Sequence, residues 1–198
     1  MKTRQAQAER RGARGFTLIE LMMVIGIGGI IAGLATPSLI GLLRRNSVSG
    51  AMRELYGGYL EAQGRTRGEG RVHCLVLNKT ARSWSIQKDT DGDGACDATV
   101  RTTAPWPTYV AFGPAGGYPG ALAAPYDVPH DSWCTPCGGA DSGEIRFGSD
   151  GAVQYATAGS YDFLSGSVSL YDTTSSSGHA EALVIIGLTG DVRVYRSN

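Results

Sequence analysis

No charged side chain occurs from Leu21 to Leu43, a run of 23 residues. Wound as a helix rising about 1.5 Å per residue, such a run crosses a hydrocarbon core about 30 Å thick. The chain turns polar at Arg44 and Arg45, but the periodicity stays helical. Val48, Met52, Leu55, Tyr59 and Ala62 fall four and three residues apart and form one apolar stripe. Gly57-Gly58 weakens a helix without ending it, and Gly64, Gly68 and Gly70 mark the stop. The pattern predicts one helix from Phe16 to about Thr66, about 75 Å long. Two helices parted at Pro37 are the alternative.

From Arg71 the period changes to two. Arg71–Asn78 and Arg82–Lys88 read as a hairpin around Lys79-Thr80-Ala81, and Thr108–Phe112 as a third strand. Gly113 to Ser142, rich in Gly, Pro and Ala, reads as a long surface loop. Glu144–Phe147 and Ala152–Tyr155 flank a turn at Gly148–Gly151. Ser167–Tyr171 is a strand, followed by the polar loop Asp172–Gly178. Ala182–Leu188 and Val192–Tyr195 flank Thr189-Gly190-Asp191. The fold class is α+β: a long N-terminal α-helix, membrane-spanning then amphipathic, packed on an antiparallel β-sheet globular domain. The expected divisions are a leader at 1–15, a transmembrane helix at 16–43, its amphipathic continuation at 44–68 and a β-rich domain at 71–198.

Charge changes this picture at the front of the chain. Net charge is zero, but residues 1–15 hold five basic side chains against Glu9, leaving 13 basic and 17 acidic ones behind them. A basic leader before an apolar run sets the N-terminus in the cytoplasm and sends the rest across the membrane. A secretory signal cut after Gly33-Leu34-Ala35, a plain anchor and a twin-arginine signal at Arg10-Arg11 compete with that reading. Glu20 argues against the first two, because a carboxylate at membrane depth costs about 2.5–3.5 kcal/mol on insertion scales.

The residues Gly15-Phe16-Thr17-Leu18-Ile19-Glu20-Leu21 resemble the processing motif of type IV pilins and type II secretion pseudopilins. The matching features are a Gly before the junction, an aromatic first mature residue, Glu at the fifth mature position and Pro37 at the twenty-second. The resemblance implies a pilin-like fold. It also implies that a prepilin peptidase cuts between Gly15 and Phe16 and methylates the Phe16 amine. Cleavage makes a cation at Phe16, and the Glu20 of one subunit can then meet the amine of a neighbour in a filament. Gly29 and Gly33, a G-x-x-x-G pair, suit close helix packing, and Pro37 weakens the helix locally. Trp84, Ile145-Arg146-Phe147 and Thr189–Val194 resemble segments of the minor pilin and pseudopilin H group.

Four cysteines follow the apolar run, which fits disulfides in an oxidising compartment. Three pairings are open. Cys74–Cys96 with Cys134–Cys137 is favoured because each closes a local loop. The spacing Cys134-Thr135-Pro136-Cys137 also suits a redox or half-zinc site, but no second C-x-x-C accompanies it. In Asp89-Thr90-Asp91-Gly92-Asp93-Gly94-Ala95-Cys96-Asp97, alternate carboxylates and a sixth-position Gly match the start of a Ca²⁺ loop. Asp89, Asp91, Asp93, the Ala95 carbonyl and Asp97 are the candidate ligands, but Val100 stands where the usual twelfth-position acid belongs. A solvated acidic turn is the alternative.

His73, His130 and His179 are scattered and form no catalytic constellation, so no enzyme and no small-molecule substrate is expected. Arg193 and Arg196 are candidates for DNA capture. However, Asp191 beside them repels phosphate, and residues 72–198 hold 7 basic and 13 acidic side chains, so nucleic acid is not the expected partner. The reading is a minor pilin or pseudopilin that helps initiate or cap a type IV pilus-like filament. It starts in the inner membrane and ends in a periplasmic or surface filament. Its partners are other pilin or pseudopilin subunits and prepilin peptidase. A type II secretion pseudopilus subunit and a DNA-binding minor pilin are the alternatives.

Overall fold

The computed structural model describes residues 16–113, 134–135, 141–157, 160–162, 166–174, 180–186 and 191–196. One helix, α1, runs from Leu18 to Glu69. It passes through Pro37 and through Gly57-Gly58 without interruption, so the reading of two helices parted at Pro37 does not hold. Thr36 Oγ1 donates to the carbonyl of Ala32 at 2.7 Å, one turn back. The helix stops at Gly70, whose φ of +63° favours glycine and whose N–H closes on the Thr66 carbonyl at 2.9 Å.

Two compact units divide between Gly41 and Leu42. In the first, the large apolar side chains from Phe16 to Ile40 are all exposed. An apolar helix exposed along its length suits a lipid or helix-packed surrounding, and its length and composition are sufficient to cross a membrane.

Among the described residues, the second unit joins the rest of α1 to eleven strands. They are β1 (His73–Asn78), β2 (Ser83–Lys88), β3 (Ala98–Thr102), β4 (Val110–Phe112), β5 (Cys134–Thr135), β6 (Ser142–Phe147), β7 (Val153–Thr157), β8 (Ser160–Asp162), β9 (Gly166–Asp172), β10 (Ala180–Ile186) and β11 (Asp191–Arg196). All described pairings are antiparallel, and they build two sheets where one was expected. The first has the order β3-β2-β1-β6-β7-β8. The second has β11-β10-β9-β4, with β5 also on β9. The expected strands are all present within a few residues, while β3, β5 and β8 are additions. β5 falls within the expected long loop, most of whose other residues lie outside the described set.

Strand alternation explains the core. On β1, Leu75 faces Ile86 on one side and Ile145 on the other, and Leu77 lies between Trp84 and Gly143. These inward rows meet the apolar stripe of α1. Val48, Met52, Leu55, Tyr59 and Ala62, the stripe expected from spacing, are all fully buried. The Tyr59 ring meets Phe147 edge-on at 5.0 Å between centroids. The same core takes in Val110, Phe112, Val168, Leu170, Leu183 and Ile185 from the second sheet. Polar links fasten the helix at its margins. Trp106 Nε1 donates to Glu54 at 2.8 Å, and Ser49 Oγ donates to the buried carboxylate of Glu181 at 2.5 Å.

Candidate assembly and metal sites

The N-terminal candidate begins where α1 begins. Thr17 is the cap, and Leu18 is the first helical residue. Glu20 N–H donates to Thr17 Oγ1 at 3.2 Å, and Thr17 N–H donates back to Glu20 Oε2 at 3.3 Å. This reciprocal pair is a capping box, which satisfies two of the backbone donors that every helix start leaves open. Thr17 Oγ1 also lies 3.2 Å from the same carboxylate oxygen. The sequence carries the signal for it as Thr-x-x-Glu at 17–20. Glu20 therefore has an intramolecular task as well as any task between subunits.

Phe16 lies just before this box and is 81% exposed. Gly15, its partner at the expected cut, lies outside the described residues. Gly29 and Gly33 are one turn apart, and a Cβ at either would meet nothing within 4 Å. The helix therefore presents bare backbone there, which lets another helix approach closely. Pro37 lies within the continuous helix.

The acidic loop follows β2. Asp89 is 3% exposed and accepts the N–H of Gly92 at 2.6 Å and of Gly94 at 2.8 Å. These amides, Gly92 foremost, hold its carboxyl below the usual carboxylate range. Asp91 accepts from the N–H of Asp93 at 3.2 Å, and Asp93 from that of Ala95 at 2.7 Å. Oxygens of Asp89, Asp91 and Asp93 come within 4.8 Å of one another, the spacing of ligands around one cation. Gly92 and Gly94 take φ of +85° and +90°, which the turn requires. Asp97 is placed differently. It receives the Thr90 hydroxyl at 2.5 Å and the Thr90 N–H at 3.0 Å, and this pairing, the hydroxyl first, holds its carboxyl low. The structure thus brings together three of the four carboxylates expected as ligands and turns the fourth to Thr90.

Cys74 and Cys96 are joined, which ties this loop to β1 as expected. Cys134 is also disulfide-bonded, while Cys137, its chosen partner, lies outside the described residues. A carboxylate oxygen of Glu144 lies within 4.8 Å of both Cys74 and Cys96 sulfurs, and burial pushes its carboxyl up against the opposing pull of Arg146. Arg193 and Arg196, weighed for nucleic acid, each face a carboxylate. Arg193 Nε is 3.4 Å from Asp191, and Arg196 Nε is 3.0 Å from buried Glu181.

Residues 10–36 match the family model described as the prokaryotic N-terminal methylation motif. No curated protein and no solved structure matches the chain. The matched segment contains the expected Gly15/Phe16 junction, the Thr17–Glu20 box and the Gly29/Gly33 pair. The chain thus carries that motif, the type IV pilin-family signal, at the head of one long helix whose later part packs on antiparallel sheets, an α+β, pilin-like architecture.

Proposed function

We propose that the protein is a minor pilin or pseudopilin, a structural, non-enzymatic subunit that helps initiate or cap a type IV pilus-like filament. The observation that carries this reading is the methylation motif at the head of a helix whose large apolar side chains are exposed from Phe16 to Ile40. A prepilin peptidase removes residues 1–15 on the cytoplasmic face and methylates Phe16. The subunit then waits in the inner membrane. On assembly, the Glu20 carboxylate leaves solvent or headgroups for the Phe16 amine of a neighbouring subunit, and that pairing offsets the cost of burying either charge alone. Gly29 and Gly33 let the neighbouring helices approach.

Within this reading Asp89, Asp91 and Asp93 hold Ca²⁺ with the carbonyl of Ala95. The donor set is all oxygen, as that ion requires. The ion's contribution is to neutralise three converging carboxylates and fix the loop that Cys96 ties to β1. DNA capture is not favoured, since each candidate arginine already faces a carboxylate.

Deleting the protein and scoring surface pili against exported enzymes tests the assignment. Loss of pili with normal export supports the pilus reading, and loss of export with normal pili assigns a type II secretion pseudopilus. Loss of neither sinks the structural-subunit reading.

A further inference from the structure

On β1 the residues turned away from α1 are Cys74 and Val76, since Leu75 and Leu77 belong to the core. The register of β1 with β6 sets Cys74 opposite Arg146 and Val76 opposite Glu144, so all four share the outer face of the first sheet. The acidic loop folds over that face. Cys96 bonds to Cys74 there, and Gly94 lies against the Arg146 guanidinium. The two sulfurs are not equally open. Cys74 is fully buried, whereas Cys96 is half-buried. A carboxylate oxygen of Glu144 stands within 4.8 Å of both. Arg146, on its own strand, is the charge that bears on it. The neighbouring strands place Ser85, Gln87 and Gln154 on this face, which carry no titratable group. In the loop, Asp97 is turned to Thr90, and Asp89, Asp91 and Asp93 accept loop amides.

We propose that Glu144 is the proton donor and acceptor for opening and closing the Cys74–Cys96 bridge. The burial pattern fixes the order of events. The thiolate of an external dithiol attacks the reachable sulfur, that of Cys96. The S–S bond breaks, and its electron pair leaves on Cys74. A bare thiolate at a fully buried position is unfavourable. The Glu144 carboxyl gives Cys74 a proton, directly or through one water, which leaves a thiol and a carboxylate. The second thiol of the dithiol, its proton lost to water, closes on the first and releases Cys96 as a thiolate that water protonates. The bridge has gained two electrons and two protons, the dithiol has become a disulfide, and Glu144 recovers its proton from solvent. Closure runs the same path backwards. With Cys96 in a mixed disulfide, the Glu144 carboxylate takes the Cys74 proton as that sulfur attacks. The oxidant is then an external disulfide, the reagent class of an oxidising compartment. Burial holds the Glu144 carboxyl above its usual range, which keeps more of it protonated as neutral pH is approached.

The test reduces the full chain in detergent and EDTA with dithiothreitol, from about pH 5 to about pH 8. Timed alkylation and peptide mass spectrometry follow Cys74 and Cys96 separately from Cys134, which is also disulfide-bonded. In the parent, the Cys74–Cys96 reduction rate is expected to rise by clearly less than about tenfold per pH unit, because protonated Glu144 declines as the attacking thiolate grows. In Glu144→Gln the rise returns to the roughly tenfold per unit that thiolate alone sets, and the rate at about pH 5 falls about a hundredfold. The Cys134 bridge reports on opening of the fold as a whole, and its rate is expected to be the same in both proteins. Identical pH profiles for parent and variant overturn the proposal. So does a uniform slowing with unchanged slope, which a merely structural role produces. An equal change at Cys134 overturns it as well, since global opening then controls both bridges.

Discussion

The indole of Trp84 fills the space that a side chain at position 58 would need. A Cβ on Gly58 would lie 2.5 to 2.8 Å from three carbons of the Trp84 ring. The glycine is therefore what lets α1 lie on β2, with Trp84 1% exposed beneath it. Gly57, its neighbour, meets nothing within 4 Å.

Gly58→Ala is expected to destabilise the domain by about 1–3 kcal/mol, the range for overpacking a filled core. Gly57→Ala is expected to be neutral or to stabilise by about 0.5–1 kcal/mol, because alanine favours helix over glycine. Thermal unfolding of the two variants in detergent checks the contrast. Equal effects at both positions would mean that the Trp84 contact does not set the helix position.

Glu20 closes the capping box with Thr17 and is proposed to pair with a neighbouring Phe16 amine, and one substitution separates the two tasks. Glu20→Gln keeps an oxygen that can accept from Thr17 N–H, so the capping box survives while the charge is lost. Leader removal should proceed near normally, and incorporation into filaments should fall sharply. Immunoblots of sheared filaments and of membranes give the two readouts. Normal incorporation of this variant would assign Glu20 to capping alone.

Glu144 sets a pH dependence of opposite sign to that of the acidic loop. Burial raises its folded-state pKa, so the folded state holds that proton more tightly than the unfolded one does. Its contribution is fully present at low pH and is lost as pH rises through and above the ordinary carboxylate range. Asp89 and Asp97 are held low, so their contribution is present at neutral pH and lost as pH falls below that range. Glu144→Gln should therefore raise the Tm at pH 7 and leave it near the parent value at pH 4. A lower Tm at pH 7 would show that the charged carboxylate is stabilising.

Calcium binding is tested by Tm after chelation and readdition. A ligand that binds only the folded state stabilises by about 2.7 kcal/mol at a hundred times its Kd. Millimolar Ca²⁺ should raise the Tm, and Asp93→Asn should abolish the rise. Asp93 is the better probe than Asp89, which supports the Gly92 and Gly94 amides whether or not a metal binds. No rise with Ca²⁺ leaves the solvated acidic turn as the account.

The N-terminal half of the molecule was legible because its signals are local. A charge-free run, a basic leader and Glu20 need no knowledge of distant partners. The stripe from Val48 to Ala62 was equally plain, and all five residues are buried. The strands missed are those without a pattern to read. β3 has an edge position and little burial, β5 has two residues, and β8 has three. The division into two sheets was hidden for another reason. β1 pairs with β6 across more than sixty residues, and β4 pairs with β9 across a similar gap. Alternation shows which face of a strand is buried but not which strand lies beside it. The hydrogen bond from Arg44 to Thr174 was hidden in the same way, since it joins residues 130 apart. In the acidic loop the spacing correctly brought Asp89, Asp91 and Asp93 together. It could not show that Thr90, with both its N–H and its hydroxyl, draws Asp97 away.

The central claim is that Gly15/Phe16 is a processing junction and that the apolar helix stays attached afterwards. Intact-mass and N-terminal peptide mass spectrometry of the protein purified from its own membranes tests this directly. The account predicts a mature chain beginning at a methylated Phe16 and retaining residues 16–43. A chain beginning at Thr36, with the apolar segment removed, would contradict it and make that segment a secretory signal.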